Sequence, residues 1–248
     1  LGYVLERGAD PARDSVEIPG SVLVLTRGEP TDITVVNRLA EPTGVHWHGI
    51  ELESYSDGVV GWSGAGDRVA PRIAPGDSFT ARLTLPRAGT FMYHTHLNDL
   101  VQLTSGLYGA IVVLEPGRTL DPATDHVLVA GWDGAEGTPW IVVNGDSAPP
   151  PLTLAAGVTH RFRLVNIGSA GRLGFKLERA GASVTWRRVA KDGADLPPSQ
   201  VREHAAQERL DVGESRDVVL AAPAPGSYRL TVGYGLAERT WTREVVVR

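Results

Sequence analysis

Residues 79–85 alternate strictly, with Phe79, Ala81, Leu83 and Leu85 on one side of an extended chain and Thr80, Arg82 and Thr84 on the other. A period of two predicts a strand packed on one face and wet on the other. Residues 21–26 and 32–37 are of strand length and rich in Val, Ile, Leu and Thr. Residues 107–114 form a continuous apolar run, short and β-branched, which predicts a central strand rather than a helix. Downstream, 127–130, 140–143, 161–166, 216–221, 228–232 and 244–248 read as further strands. No segment carries the period of a long amphipathic helix. Ala148-Pro149-Pro150-Pro151 predicts a turn or a strand edge, because proline cannot donate to a sheet ladder. Residues 186–207 are the least regular stretch and predict a long surface loop.

The chain also repeats itself. Gly28-Glu29-Pro30-Thr31-Asp32-Ile33-Thr34-Val35-Val36-Asn37 is matched 129 residues later by the stretch from Gly157 to Asn166, each a glycine turn, a strand and a closing Val-Asn. Ile73-Ala74-Pro75-Gly76-Asp77-Ser78 is matched at an offset of 137 by Leu210-Asp211-Val212-Gly213-Glu214-Ser215. The same offset of 137 pairs the stretch from Pro86 to Tyr93 with that from Pro223 to Leu230. Matches in the same order at similar offsets predict two copies of one fold. With 29 glycines and 17 prolines among 248 residues, the expected architecture is all-β: two tandem Greek-key β-sandwiches, residues 1–120 and 121–248.

Net charge and apolar runs narrow the partners. A formal charge of −5 leaves no basic excess for a nucleic acid backbone. No run approaches the roughly 18 apolar residues of a membrane span. Cysteine is absent, so the chain offers no disulfide and no thiolate ligand. It opens at Leu1 without an initiator methionine or the pattern of a signal peptide, which predicts an upstream segment.

Four of the seven histidines fall into two equal spacings, His46-Trp47-His48-Gly49 and His94-Thr95-His96. On an extended strand, i and i+2 point to one face, so each pair presents two imidazoles to one volume. Neutral imidazole suits Cu, Zn, Fe or Ni, and copper tops the divalent affinity order. The repeat supplies a control: by the offsets above, the four histidines correspond to Phe175, Leu177, Thr231 and Gly233, so the second copy keeps the scaffold without the ligands. His126 and His160 share no such spacing and are expected to be solvated or locally hydrogen-bonded. Asp57-Gly58 reads on its own as a turn, with a role in moving protons as the alternative. Trp47 is expected to pack behind the ligands. Tyr55 and Trp62 would line a substrate or oxygen path or pack at the surface.

His46-Trp47-His48-Gly49 and Tyr93-His94-Thr95-His96, followed by Gln102 and Gly106-Leu107-Tyr108-Gly109, resemble the first cupredoxin domain of multicopper oxidases, the laccase-like enzymes. Asn144-Gly145 and the stretch to Asn166 are similar to that family's ligand-free second domain. The resemblance implies two tandem cupredoxin-like sandwiches, of which the first supplies half of the eight histidines around a trinuclear copper cluster. His46 would bind the type 2 copper, and His48, His94 and His96 the type 3 pair. Asp57 would match the family's acidic residue for proton delivery. The implied activity couples one-electron oxidation of a phenolic or similar small-molecule donor to reduction of dioxygen to water, in a periplasmic or secreted setting.

Without cysteine, the chain departs from the family at the type 1 copper, and four histidines cannot satisfy three ions. The resemblance therefore implies that a missing type 1 copper domain, as a further segment, a cleaved fragment or another subunit, completes the site. Two other readings stay open: a non-catalytic copper-binding or structural cupredoxin module, and a β-sandwich whose histidines are incidental.

Overall fold

The computed structural model describes residues 1–6, 12, 15–133, 140–234 and 240–248. The chain folds as two compact units, Leu1–Arg118 and Thr119–Arg248.

In the first unit the strands are β1 (Gly20–Thr26), β2 (Pro30–Val36), β3 (Val45–His48), β4 (Gly64–Ala65), β5 (Arg68–Val69), β6 (Ser78–Thr84), β7 (Gly89–Thr95) and β8 (Tyr108–Leu114). Two single-turn helices, α1 (Ser54–Asp57) and α2 (Asp99–Gln102), interrupt them. One sheet runs β1-β8-β7-β3, and β2 pairs with β6 in a second. Apolar side chains from both meet in one cluster: Ala81 and Leu83 from β6, and Trp47, Phe91, Tyr93 and Ile111 from the larger sheet. The alternation read at 79–85 is the cause, since Ala81, Leu83 and Leu85 are buried while Thr80, Arg82 and Thr84 face solvent. The apolar run at 107–114 lies between β1 and β7, buried from Tyr108 to Val113. Gly109 allows the close approach of Tyr93, whose ring occupies the space a Cβ would need, and the Tyr93 hydroxyl donates to the Ser21 carbonyl at 2.9 Å.

In the second unit the strands are β9 (Asp125–Asp133), β10 (Trp140–Val143), β11 (Leu152–Leu154), β12 (His160–Asn166), β13 (Leu173–Arg179), β14 (Ala182–Ser183), β15 (Thr185–Lys191), β16 (Ala194–Asp195), β17 (Glu203–Ala205), β18 (Gln207–Leu210), β19 (Ser215–Leu220), β20 (Gly226–Gly233) and β21 (Thr240–Val247). They form one sheet ordered β10-β9-β12-β19-β15-β16 and another ordered β11-β21-β20-β13-β14. Phe162, Leu164, Phe175, Leu177, Trp186 and Trp241 are among the side chains of its core. The proline tract at 148–151 leads into β11, the edge of its sheet. Asp217 is buried on β19 and accepts from Arg161 Nε at 2.9 Å and Arg163 Nη1 at 3.1 Å, so its charge is paired where an isolated one would be costly.

The surface loop expected within 186–207 is confined to residues 196–202, which lie outside the strands and are mostly exposed. Much of the stretch is strand, and Trp186 is one of the largest fully buried side chains. Two features hide β15 in the sequence. Arg187, Arg188 and Lys191 surround its few apolar positions, and a register shift between Arg188 and Ala190 breaks the period of two.

The internal repeat is written in hydrogen bonds. Asn37 N–H donates to Asp77 O at 2.8 Å, and Asn166 N–H to Glu214 O at 3.1 Å. Asn37 Nδ2 reaches Ile73 O, and Asn166 Nδ2 reaches Leu210 O. The Asn37 carbonyl accepts from Gly76 N–H, and the Asn166 carbonyl from Gly213 N–H. These partners keep the offsets of 129 and 137 residues read from the sequence. Both units therefore anchor the end of the same strand with an asparagine that satisfies the turn opposite.

Candidate metal centre

β3 and β7 pair antiparallel, with His46 directly opposite His94 and Trp47 opposite Tyr93. Alternation along β3 buries Val45 and Trp47 in the core and turns His46 and His48 to the other face. On β7 the same alternation separates His94 from buried Tyr93 and Thr95, and His96 follows one residue beyond the strand. One nitrogen each from His46, His48 and His94 lies within 4.8 Å of the others. His96 joins from the open side, its ring centroid 5.6 Å from that of His46 and 6.0 Å from that of His94.

Backbone acceptors set the tautomers. His94 Nδ1–H donates to the Thr95 carbonyl at 2.6 Å, which leaves Nε2 bare. That Nε2 faces His48 Nδ1 at 3.4 Å. Two imidazole nitrogens on one tetrahedral ion, each about 2.0–2.1 Å away, sit roughly 3.3 Å apart, so the pair fits a shared metal. Burial, and then the Coulombic effect of the neighbouring imidazoles, pushes the His94 pKa down to about 3. His94 is thus a neutral donor at physiological pH, the form a metal requires.

Asp57 stands behind His46. His46 Nδ1 lies 3.1 Å from the Asp57 carbonyl and 3.4 Å from Asp57 Oδ2, and Ser63 Oγ donates to Oδ2 at 2.7 Å. Burial alone would raise the Asp57 pKa; hydrogen bonds from His46 and Ser63 outweigh it and hold the carboxyl below its usual range. Gly58 makes this approach possible. Its φ of 85° closes α1, and a Cβ there would collide with the Val45 carbonyl. An Asp-Gly step that reads as a turn is thus also the means by which a carboxylate reaches a histidine.

The second unit sharpens the internal control and corrects it by one residue. Trp47 opposite Tyr93 has its counterpart in Leu177 opposite Leu230. His46 and His48 therefore correspond to Lys176 and Glu178, not to Phe175 and Leu177, while His94 and His96 still correspond to Thr231 and Gly233. One extra residue between Asn166 and β13 raises the offset to 130, and a shift of one exchanges the faces of a strand. Where the first unit has two histidines, the second has an ion pair, Lys176 Nζ to Glu178 Oε1 at 2.7 Å. Beside it lies a groove of about 430 Å³ lined by Glu178, Ser227, Arg229, Thr242 and Glu244, among others.

Of the aromatics beside the site, Trp47 is buried in the core, as expected of a packing residue. Tyr55 packs edge-on against Phe79 and beneath the Arg68 guanidinium. Trp62 is 85% exposed.

The other two histidines considered are not solvated. His126 and His160 are buried, and His126 Nε2 lies 3.2 Å from His160 Nδ1. His160 Nε2 donates to Ala155 O at 2.9 Å, so His160 Nδ1 accepts and His126 Nε2 donates. They meet because β9 and β12 pair in parallel, which linear spacing does not reveal. Burial, then His160, pushes the His126 pKa down to about 4, against about 6.5 in an unfolded chain. The unfolded chain therefore takes up the proton first as pH falls. Stability present above about pH 6.5 is lost as pH falls towards 4. Hydrogen–deuterium exchange of β9 and β12 should accelerate across that window, and His126→Gln, which keeps the donor without the titration, should flatten the response.

Residues 15–118 match the family model described as multicopper oxidase. Multicopper oxidase MmcO of Mycobacterium tuberculosis is 28% identical over 74% of the chain and 43% of its own length. The copper resistance protein A homolog of Pseudomonas syringae pv. tomato is 27% identical over 86% of the chain and 44% of its own length. The chain thus spans less than half the length of these relatives. Among solved structures, a multi-copper oxidase from Pseudomonas thermotolerans superimposes with a TM-score of 0.76 at 27% identity, over 94% of this chain and 58% of that one. The blue copper oxidase from Nitrosomonas europaea shares the fold at a TM-score of 0.75 and 21% identity, over 93% of this chain and 77% of that one. These matches show cupredoxin domains of the multicopper oxidase kind, in sequence over residues 15–118, which carry the histidine cluster, and in fold over nearly the whole chain.

Proposed function

We propose that the chain supplies half of a trinuclear copper cluster, in an enzyme that couples one-electron oxidation of a phenolic or similar donor to reduction of dioxygen to water. The observation that carries this reading is the convergence of His46, His48, His94 and His96 on one side of the β3–β7 pair. His46 would serve the type 2 ion, and His48, His94 and His96 the type 3 pair. Bound copper would supply the redox chemistry and the oxygen-binding positions. Asp57 orients His46 by accepting at its Nδ1 side, and it holds a carboxylate where protons are needed.

A type 1 centre needs a thiolate, and the chain has no cysteine. Electron entry and the remaining ligands therefore belong to a domain, fragment or subunit beyond these 248 residues, in a periplasmic or secreted setting. No helix among the described residues is long and apolar enough to cross a membrane. The absent cysteine favours one other reading for the chain by itself, a copper-binding module without turnover.

The test is oxygen uptake with a phenolic donor, alongside copper content, on protein containing the type 1 domain. Asp57→Asn should keep its copper and lower oxygen uptake about 10–100-fold. Copper bound without oxygen uptake by the unaltered protein would favour the module.

A further inference from the structure

His96 lies one residue past β7, so sheet pairing does not hold it. Its backbone reaches the segment before β3 through a long hydrogen bond, His96 N–H to Gly44 O at 3.3 Å. Directly behind it, on the core side, three buried polar side chains close a network. Gln102 Oε1 accepts from Thr43 Oγ1 and from Thr95 Oγ1, both at 2.8 Å. Gln102 Nε2 donates to the Pro42 carbonyl at 2.8 Å. A carbonyl can only accept, so the amide has one orientation. Thr43, Thr95 and Gln102 are all buried.

A core does not need polar groups there, and the second unit demonstrates it. The bridge between Thr43 and Ile73 has its counterpart in Leu173 opposite Leu210. The pair Val45 and Thr95 has its counterpart in Phe175 and Val232. Thr43 and Thr95 are therefore Leu173 and Val232 in the copy that lacks the histidines, both packed into its apolar core. The same scaffold closes this corner with hydrocarbon. Buried polar groups are tolerated only when every partner is in place, and a satisfied network then fixes one geometry where apolar packing allows several.

We infer that Gln102, through Thr43 and Thr95, is a positioning residue for the copper half-site. It clamps the strand entering His46 to the turn carrying His96, so that the two histidine pairs keep their separation. The inference rests on reading those histidines as copper ligands. Gln102 touches no metal; it acts through the backbone between His94 and His96, where Thr95 is the link.

The experiment compares four forms of the full chain: unaltered, the apolar triple variant Thr43→Val/Thr95→Val/Gln102→Leu, Thr95→Val alone, and the hydroxyl-preserving Thr43→Ser/Thr95→Ser. Cu(II) itself is the probe, read by competition with a chelator and by the electron paramagnetic resonance spectrum, with circular dichroism to follow the fold. The triple variant should keep its strand signal, bind Cu(II) at least about tenfold more weakly and show an altered hyperfine pattern. The serine variant should bind as the unaltered chain does. Thr95→Val alone should move affinity and spectrum in the same direction, which keeps the test decisive if the triple variant misfolds. Equal affinity and an identical spectrum in the apolar variants would overturn the clamp while leaving the cluster reading intact. Failure of the unaltered chain to bind Cu(II) would overturn both.

Discussion

His94→Ala should empty the half-site, with Cu(II) affinity falling by more than about 100-fold and oxygen uptake of the assembled enzyme falling with it. Removing a group that only orients a ligand costs about 10–100-fold, and His94 is placed to be a ligand. Its bare Nε2 faces His48 Nδ1, and its ring lies 5.5 Å from those of both His46 and His48. Burial, as the main cause, also pushes its pKa down to about 3 and holds it in the neutral form. A remaining imidazole cannot replace it, because β3 and β7 hold each ring on its own backbone. The fold should survive, since the β7 core contacts are made by Phe91 and Tyr93 on the opposite face. Copper content by mass spectrometry, chelator competition and oxygen uptake check the result. His126→Gln in the second unit is the control and should leave copper unchanged. If His94→Ala bound copper as tightly as the unaltered chain, the assignment of the site would be wrong.

Trp186→Ala should destabilise the second unit by about 3–5 kcal/mol, the cost of deleting a large aromatic from a close-packed core. Trp186 is 1% exposed and belongs to the cluster that includes Phe175, Leu177 and Trp241. It also lies on β15, which pairs with both β17 and β19, so a cavity there loosens three strands. Urea unfolding followed by hydrogen exchange of β19 reads the loss. Because the first unit has its own core, exchange of β7 and β8 should stay as it is. A loss under about 1 kcal/mol would mean that Trp186 packs far less tightly than its burial indicates.

The histidine pairs were legible because i, i+2 spacing on a strand is a local property, and β3 and β7 needed only to lie side by side. Alternation at Phe79, Ala81, Leu83 and Leu85 was legible for the same reason. What the chain did not disclose is non-local. The counterparts of His46 and His48 were read one residue out because an inserted residue lies in the loop before β13, where no pattern marks it. His126 and His160 meet through a parallel register across 34 residues of chain. Gln102 stood in a recognisable run, but nothing in that run shows that its amide faces Thr43 and Thr95. β15 escaped because basic residues and a register shift blur its alternation. Asp57 lay between these cases: its turn was readable from Gly58, its contact with His46 was not.

The first unit joins its first long strand to its last by parallel pairing, β1 with β8. A chain leaving the ribosome cannot close the first sandwich until residue 114 has emerged, because Thr26 pairs with Leu114. Until then β7 has no partner on its β8 side, and the core over β6 lacks Ile111 and Val113. Long-range closure of this kind folds slowly and leaves sticky intermediates. Nascent chains stalled just short of residue 114 should therefore depend on chaperones more than chains stalled well beyond it, before any metal is encountered.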